Sequence, residues 1–417
     1  MFKLLKFFFS PFLIPIFLFS CVAYNEPHEQ LSSVAISHGP LDMIASGNRL
    51  PFDLDKIEIY KKVKISANEI RDIAFINTNL LVVKSEKNEI YIVDFVNDNV
   101  ISVPNVFGEN LNVSAPSLNR FLVCKVKEIP ITKYINDLLL NHIYCLNEKG
   151  EILWDIENTE LEDIINFESD FHYNVKYLAL TRHGEIDYQL STISREGTKK
   201  NGLGFHSQNV VRNLIPTQKG ILLFRYPHEP LFAAFNKRSF DIRPFALSRA
   251  TDSIFRPIIT KDYRYVGDDA FGRSIIILDE KTDSRKILPF ADMLKIKGDP
   301  FGELDLFAEA DGIIYIKRSG KIIEYDGEGF KFLNIPGFSE DSDSIIMEFF
   351  TDLHAENFII PQSEKILYGK EKFNEIPFNA EKCTFLNFSG NFEYCAFGTT
   401  DGNVVILKMT KQEEKAE

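Results

Sequence analysis

From Ile57 onward one unit keeps returning in this chain: β-branched and aromatic stretches of five to eight residues, each punctuated by Gly, Asn or Asp. Strands of that length between turn formers, with no helix-period segment to rival them, restrict the fold to an all-β architecture. Arg71–Asn77, Asn79–Ser85, Glu89–Phe95 and Val100–Pro104 form a first group. A short strand near Ser117 with Phe121–Lys127, His142–Asn147 and Glu151–Ile156 forms a second. Tyr173–Ser194 and Val210–Phe245 contribute a third and a fourth, followed by Ile254–Phe290, Glu303–Ile335 and Ile345–Phe378. The last group, Thr384–Met409, shows only three strands, while Ile57–Ile65 stands unassigned before the first complete group. Pairing the two supplies the missing strand and removes the free edges of an open array. Eight four-stranded antiparallel groups across residues 57–409, about 44 residues each, match a propeller period. The expected fold is therefore an eight-bladed β-propeller closed by an N-terminal strand in the last blade. Seven blades is the nearest alternative, because Tyr173–Phe205 is poorly punctuated. An open pair of β-sandwiches is the structural rival.

Upstream, Lys3 and Lys6 precede a thirteen-residue apolar run, Phe7–Phe19, interrupted by Pro11 and Pro15. That run is too short for a permanent membrane helix and has the form of a secretory signal, assigned to residues 1–20. It ends Leu18-Phe19-Ser20-Cys21, which resembles a bacterial lipobox. The resemblance implies cleavage before Cys21 and acylation of that residue. Residues 21–56 are polar and rich in turn formers and read as a tether, spanning roughly 30 to 35 Å as a flexible coil. Residues 410–417 read as a disordered tail.

The formal charge of −13 becomes −15 once Lys3 and Lys6 leave with the signal. An acidic surface of that size repels nucleic acid and anionic lipid headgroups, so neither is an expected partner. Membrane attachment falls to the lipid on Cys21. Four other cysteines remain, and their pairing is open. Cys124 with Cys145, and Cys383 with Cys395, lie on successive strand candidates where bridges are possible, though small buried thiols are an equally common use.

Two segments carry a family resemblance. Tyr-Cys-Leu-Asn-Glu-Lys-Gly-Glu-Ile-Leu-Trp at 144–154 resembles the strand-turn-strand unit of pyrroloquinoline-quinone-type propellers, and Gly-Thr-Thr-Asp-Gly-Asn-Val-Val-Ile-Leu at 398–407 is similar to the entry strand and turn of the same repeat. Trp154 is the single Trp, so the family's repeated aromatic dock is missing, and thirty-seven Phe offer another way to fill the spaces between blades. Anchor, length and blade count together resemble the BamB-like outer-membrane assembly lipoproteins. That resemblance implies a non-catalytic scaffold on the periplasmic face of the outer membrane, with the barrel-forming subunit of the assembly machinery as partner. A periplasmic propeller for peptide, cell-wall or lipoprotein ligands is the alternative. A quinoprotein dehydrogenase is disfavoured, since no two cysteines are adjacent.

No catalytic, cofactor or small-molecule site is expected. The eight His residues show no ligand-like spacing, and His142 reads as a surface or turn residue. Neither a nucleophile elbow nor a phosphate-binding glycine loop is present. Inter-blade segments are the remaining candidates. Two are acidic, with Glu157, Glu160, Glu162, Asp163, Glu168 and Asp170 in one and Glu340, Asp341 and Asp343 in the other. A third, with Arg195, Lys199, Lys200, Leu203, Phe205, His206 and Arg212, joins charge to apolar anchors and is the favoured partner-binding loop. Ile131, Ile135, Leu138 and Leu139 fall at helical spacing and predict a small helix packed on its own blade.

Overall fold

The computed structural model describes residues 48–117, 119–132, 135–166, 175–183 and 187–206, the strands between 210 and 289, and residues 306–318, 321–335 and 348–412. The expected signal, Cys21 and most of the tether lie outside the described residues. Among the described residues every regular element is a β-strand, and no helix is long and apolar enough to cross a membrane.

The first sheet is a four-stranded meander of β2 (Ile70–Phe75), β3 (Leu80–Ser85), β4 (Ile90–Asp94) and β5 (Asn99–Val103). Short runs of Ile, Val and Leu with tight polar turns leave each strand no partner nearer than its sequence neighbour. Asn88 and Asp98, both at positive φ, turn the chain between them. The same meander recurs in β13 (Val210–Thr217) to β16 (Phe240–Pro244), β17 (Phe255–Ile259) to β20 (Ser284–Pro289), β21 (Leu306–Ala310) to β24 (Phe330–Phe332), and β25 (Phe350–Thr351) to β28 (Asn374–Pro377). The last sheet has the order β1 (Leu54–Lys64), β31 (Asn403–Lys411), β30 (Tyr394–Gly398), β29 (Asn387–Phe388). The N-terminal strand thus supplies the fourth strand of the C-terminal meander, as expected, running antiparallel to β31 from Leu54 opposite Lys411 to Lys64 opposite Asn403. As that sheet's outer strand, β1 carries Lys56, Lys61, Lys62 and Lys64, which discourage pairing with a foreign strand.

Apolar clusters join successive sheets face to face. Val266, Ile275 and Leu288 of β17–β20 pack with Ile314, Ile316 and Tyr325. Tyr315 and Ile322 meet Phe349, Phe358 and Ile360, and Phe350, Ile359 and Ile366 meet Phe388, Phe397 and Leu407. The sequence of contacts then passes through the sheet that joins β1 to β31: Ala396, Val404 and Ile406 pack with Ile70, Ile73, Leu81 and Val93. Ala74, Val82 and Ile92 continue it onto Val113, Phe121 and Val123. Phenylalanines fill several of these seams, with edge-to-face pairs Phe350–Phe388 at 4.8 Å and Phe378–Phe397 at 4.7 Å.

Three expectations are corrected. Seven sheets, not eight, are found among the described residues, because the strands expected as a third group join the second. That sheet has seven strands: β6 (Leu111–Ser117), β7 (Arg120–Thr132), β8 (Ile135–Asn147), β9 (Ile152–Asn166), β10 (Val175–His183), β11 (Asp187–Ser194) and β12 (Lys199–His206). β9 runs ten residues past its expected end at Ile156, and its far half offers the edge to which β10 pairs, from Asn166 to Leu161. The predicted helix is absent too. Its residues extend the β7–β8 ladder, with Lys127 opposite Leu139 and Ile129 opposite Asp137. Lengthening an existing hairpin adds paired residues one by one, whereas a helix here would have to form its own unfavourable nucleus.

Finally, the folded body begins before residue 57. Leu50 and Leu54 are fully buried, and residues 48–53 are stitched along β25 by Leu50 N–H to Thr351 O at 2.8 Å, Thr351 N–H to Asn48 O at 2.9 Å and Leu353 N–H to Phe52 O at 3.0 Å. The buried Asp352 carboxylate accepts from Leu54 N–H (3.3 Å), Glu356 N–H (2.8 Å) and Asn357 Nδ2 (2.9 Å). Asp352→Ala leaves those donors without their acceptor and is expected to cost about 2–4 kcal/mol, measured as a lower melting temperature. His354 bonds Asp311 at 2.9 Å and lies 3.6 Å from Asp53. The Asp311 hydrogen bond, then the charges of Asp53, Asp311 and Glu356, raise its pKa against a smaller opposing effect of burial. A raised imidazole pKa stabilises the fold fully below the ordinary value near 6.5 and loses that contribution as pH rises through the folded-state value. The melting-temperature advantage of the parent over His354→Gln should therefore be present at pH 5.5 and fade by about pH 8, and remain small because the ring is half exposed.

Candidate functional site

The favoured basic segment is not an inter-blade loop. Arg195 occupies the turn between β11 and β12, Lys199, Lys200, Leu203, Phe205 and His206 lie in β12, and Arg212 lies in β13. β12 is the outer edge of the seven-stranded sheet, paired on one side with β11 from Ile193 opposite Lys199 to Asp187 opposite His206. Arg195 and Lys200 are exposed. Lys199 is half-buried, its ammonium donating to Thr181 Oγ1 at 3.1 Å, and burial lowers its pKa. Phe205 is committed to a stack on buried Tyr188, ring centroids 5.7 Å apart. Two of the expected contact residues thus hold the sheet together, and Arg195 with Lys200 present the charge.

Trp154 explains how the added strands β10–β12 are held. Its indole N–H donates to Arg195 O at 3.0 Å, and the Arg120 guanidinium donates to the same carbonyl. Gly197, at φ +83°, lies against the ring, where a Cβ would come within 2.6 Å of Trp154 Cγ. The chain's single Trp thus docks the β11–β12 turn onto the near half of β9, which β10 leaves uncovered.

The acidic segments also differ from expectation. Glu157, Glu160, Glu162 and Asp163 belong to β9, while Glu168, Asp170, Glu340, Asp341 and Asp343 lie outside the described residues. On β9 one of them joins a cluster that sequence reasoning missed. His142 stands opposite Glu157 and Tyr144 opposite Asp155 across the β8–β9 ladder, so all four side chains share one face. His142 Nε2 is 2.9 Å from Asp155 Oδ2, the Tyr144 hydroxyl is 3.2 Å from Nδ1, and the two rings stack at 4.0 Å. His142 is mostly buried, its side chain 14% exposed, within a strand and not in a turn. Burial, then the charges of Asp155 and Glu157, raises the Tyr144 pKa. Asp155 follows His142 by 13 residues, a separation that signals nothing until the turn Asn147–Gly150 sets the hairpin register.

Cys124, Cys145, Cys383 and Cys395 form no disulfide among the described residues. Cys145 is opposite Leu122, and Cys124 is opposite Ile143, which makes the two diagonal and not facing. Cross-strand bridging favours directly opposed positions, about 4.5–5.5 Å apart at Cβ. Burial raises the pKa of Cys124 and Cys395 strongly and that of Cys383 to about 12, so none of these three is poised as a thiolate. Cys383 Sγ donates to Ile70 O at 2.8 Å instead.

No family model and no curated protein matches the sequence. Among solved structures the chain is similar to the Dos1 propeller, at 10% identity and TM-score 0.57 over 84% of this chain and 95% of that one. It is similar to Sqt1 of Saccharomyces cerevisiae at 10% identity and TM-score 0.52, over 85% and 99% of the two chains. BamB from Moraxella catarrhalis is also similar, at 6% identity and TM-score 0.49 over 85% and 100%. With the recurring four-stranded antiparallel sheets, the first two establish a β-propeller fold.

Gly197→Ala forces a side chain into the indole from a left-handed backbone position. It should destabilise the docked turn by about 1–3 kcal/mol, read as faster limited proteolysis between residues 184 and 209.

Proposed function

We propose that the seven sheets close into a seven-bladed ring, its second blade widened by β10–β12, and that the protein is a non-catalytic scaffold. Face-to-face packing through the sheet that joins β1 to β31 supports the ring. In this reading Cys21 is acylated, the polar segment behind it tethers the ring to the periplasmic face of the outer membrane, and the ring assists barrel assembly through the barrel-forming subunit. The single observation that carries the reading is the pairing of a lipobox-like Leu18–Cys21 with a propeller body. The repeat-like segments 144–154 and 398–407 lend it support. Within the ring, the exposed Arg195 and Lys200 beside an open strand edge suit an acidic partner segment.

Crosslinked pull-down from membranes tests this directly, with the barrel-forming subunit expected among the captured proteins. Capture that never includes it would remove the assembly role. The pair Arg195→Glu and Lys200→Glu should weaken capture several-fold without lowering the melting temperature, since neither side chain is buried. Undiminished capture would move the contact away from β12.

A further inference from the structure

We propose that His142, Asp155 and Glu157 form a binding site for a divalent transition-metal ion of the zinc class, independent of any scaffold role. One ligand atom from each residue lies within 4.8 Å of the others, close enough for one ion to draw all three in. An imidazole with two carboxylates suits zinc and its neighbours, while calcium and magnesium favour all-oxygen sets. Three protein ligands leave the fourth tetrahedral position to water. The ladder fixes the arrangement, because His142 and Glu157 are directly opposed and Asp155 lies two residues along the same face.

Surrounding groups orient the imidazole for this use. With the ion on Nε2, the proton resides on Nδ1 and is donated to the Tyr144 hydroxyl, 3.2 Å away. Such an outer partner holds the ring and raises its basicity. Tyr144 is itself held by the edge of Phe107, centroids 4.8 Å apart. Among the described residues neither Asp155 nor Glu157 has a lysine or arginine partner, so an ion would meet two carboxylates that no cation neutralises. Lys125, opposite His142 on β7, is the charge that opposes binding. The chain's net negative charge favours it.

Calorimetric titration of the purified full chain with Zn2+ at pH 7.5 should show a site that His142→Ala and Asp155→Asn each abolish. Both variants are checked by circular dichroism. Asp155 is 46% exposed, so Asn there keeps the shape and separates lost ligation from lost folding. Acid should release the ion, because protons compete for the ligand atoms. Tyr144→Phe, at a positioning residue, should weaken binding by about tenfold and shift the visible absorption of Co2+ bound in place of Zn2+. Absence of zinc binding by the parent, or unchanged zinc affinity in folded Asp155→Asn, overturns the proposal.

Discussion

The antiparallel ladder between β1 and β31 is the constraint on which the remaining architecture rests. It sets residues more than 300 positions apart in register, and the order of the other sheets follows from short-range meanders that need no long closure. The turn that ends β30 knits this joint further. Ile65 and Ser66 both donate to Gly402 O, Ile70 donates to Thr399 O, and Cys383 donates to Gly398 O. Gly402, at φ +78°, leaves no room for a side chain, since a Cβ would sit 2.2 Å from Ser66 O. Residues 65–70 and Cys383 thus converge on one hairpin, which itself has a local sequence signature.

That signature made much of the fold legible. Short apolar runs ending in Asn, Asp or Gly located most strands, and the missing fourth strand of Thr384–Met409 revealed its N-terminal partner. The second sheet was harder to read. Nothing in Glu157–Asn166 distinguishes a charged loop from a charged strand, because its acidic residues and asparagines leave no regular apolar alternation to report. β9 therefore continues through residues that look like a solvated connection, and β10 pairs with it instead of starting a new sheet. The spacing of Ile131, Ile135 and Leu138 misled for a related reason: periodicity within one strand is silent about the partner strand beside it.

The candidate sites follow the same division. Lys199 and Phe205 were visible as a basic and apolar pair, but their roles depend on Thr181 and Tyr188, which only the β10–β12 pairing brings near. Arg195 was visible as charge, while its backbone carbonyl proved to be the group Trp154 grips. His142, Asp155 and Glu157 form a cluster only once the β8–β9 register is known. Local chemistry was readable; convergence across a ladder was not.

The stitch of residues 48–53 along β25 has a mechanical consequence. Any tension entering the body from the N-terminal side meets several backbone hydrogen bonds to Thr351 and Leu353 before it reaches β1. The load is shared at the entry point, so the joint formed with β31 is shielded from being peeled open one rung at a time.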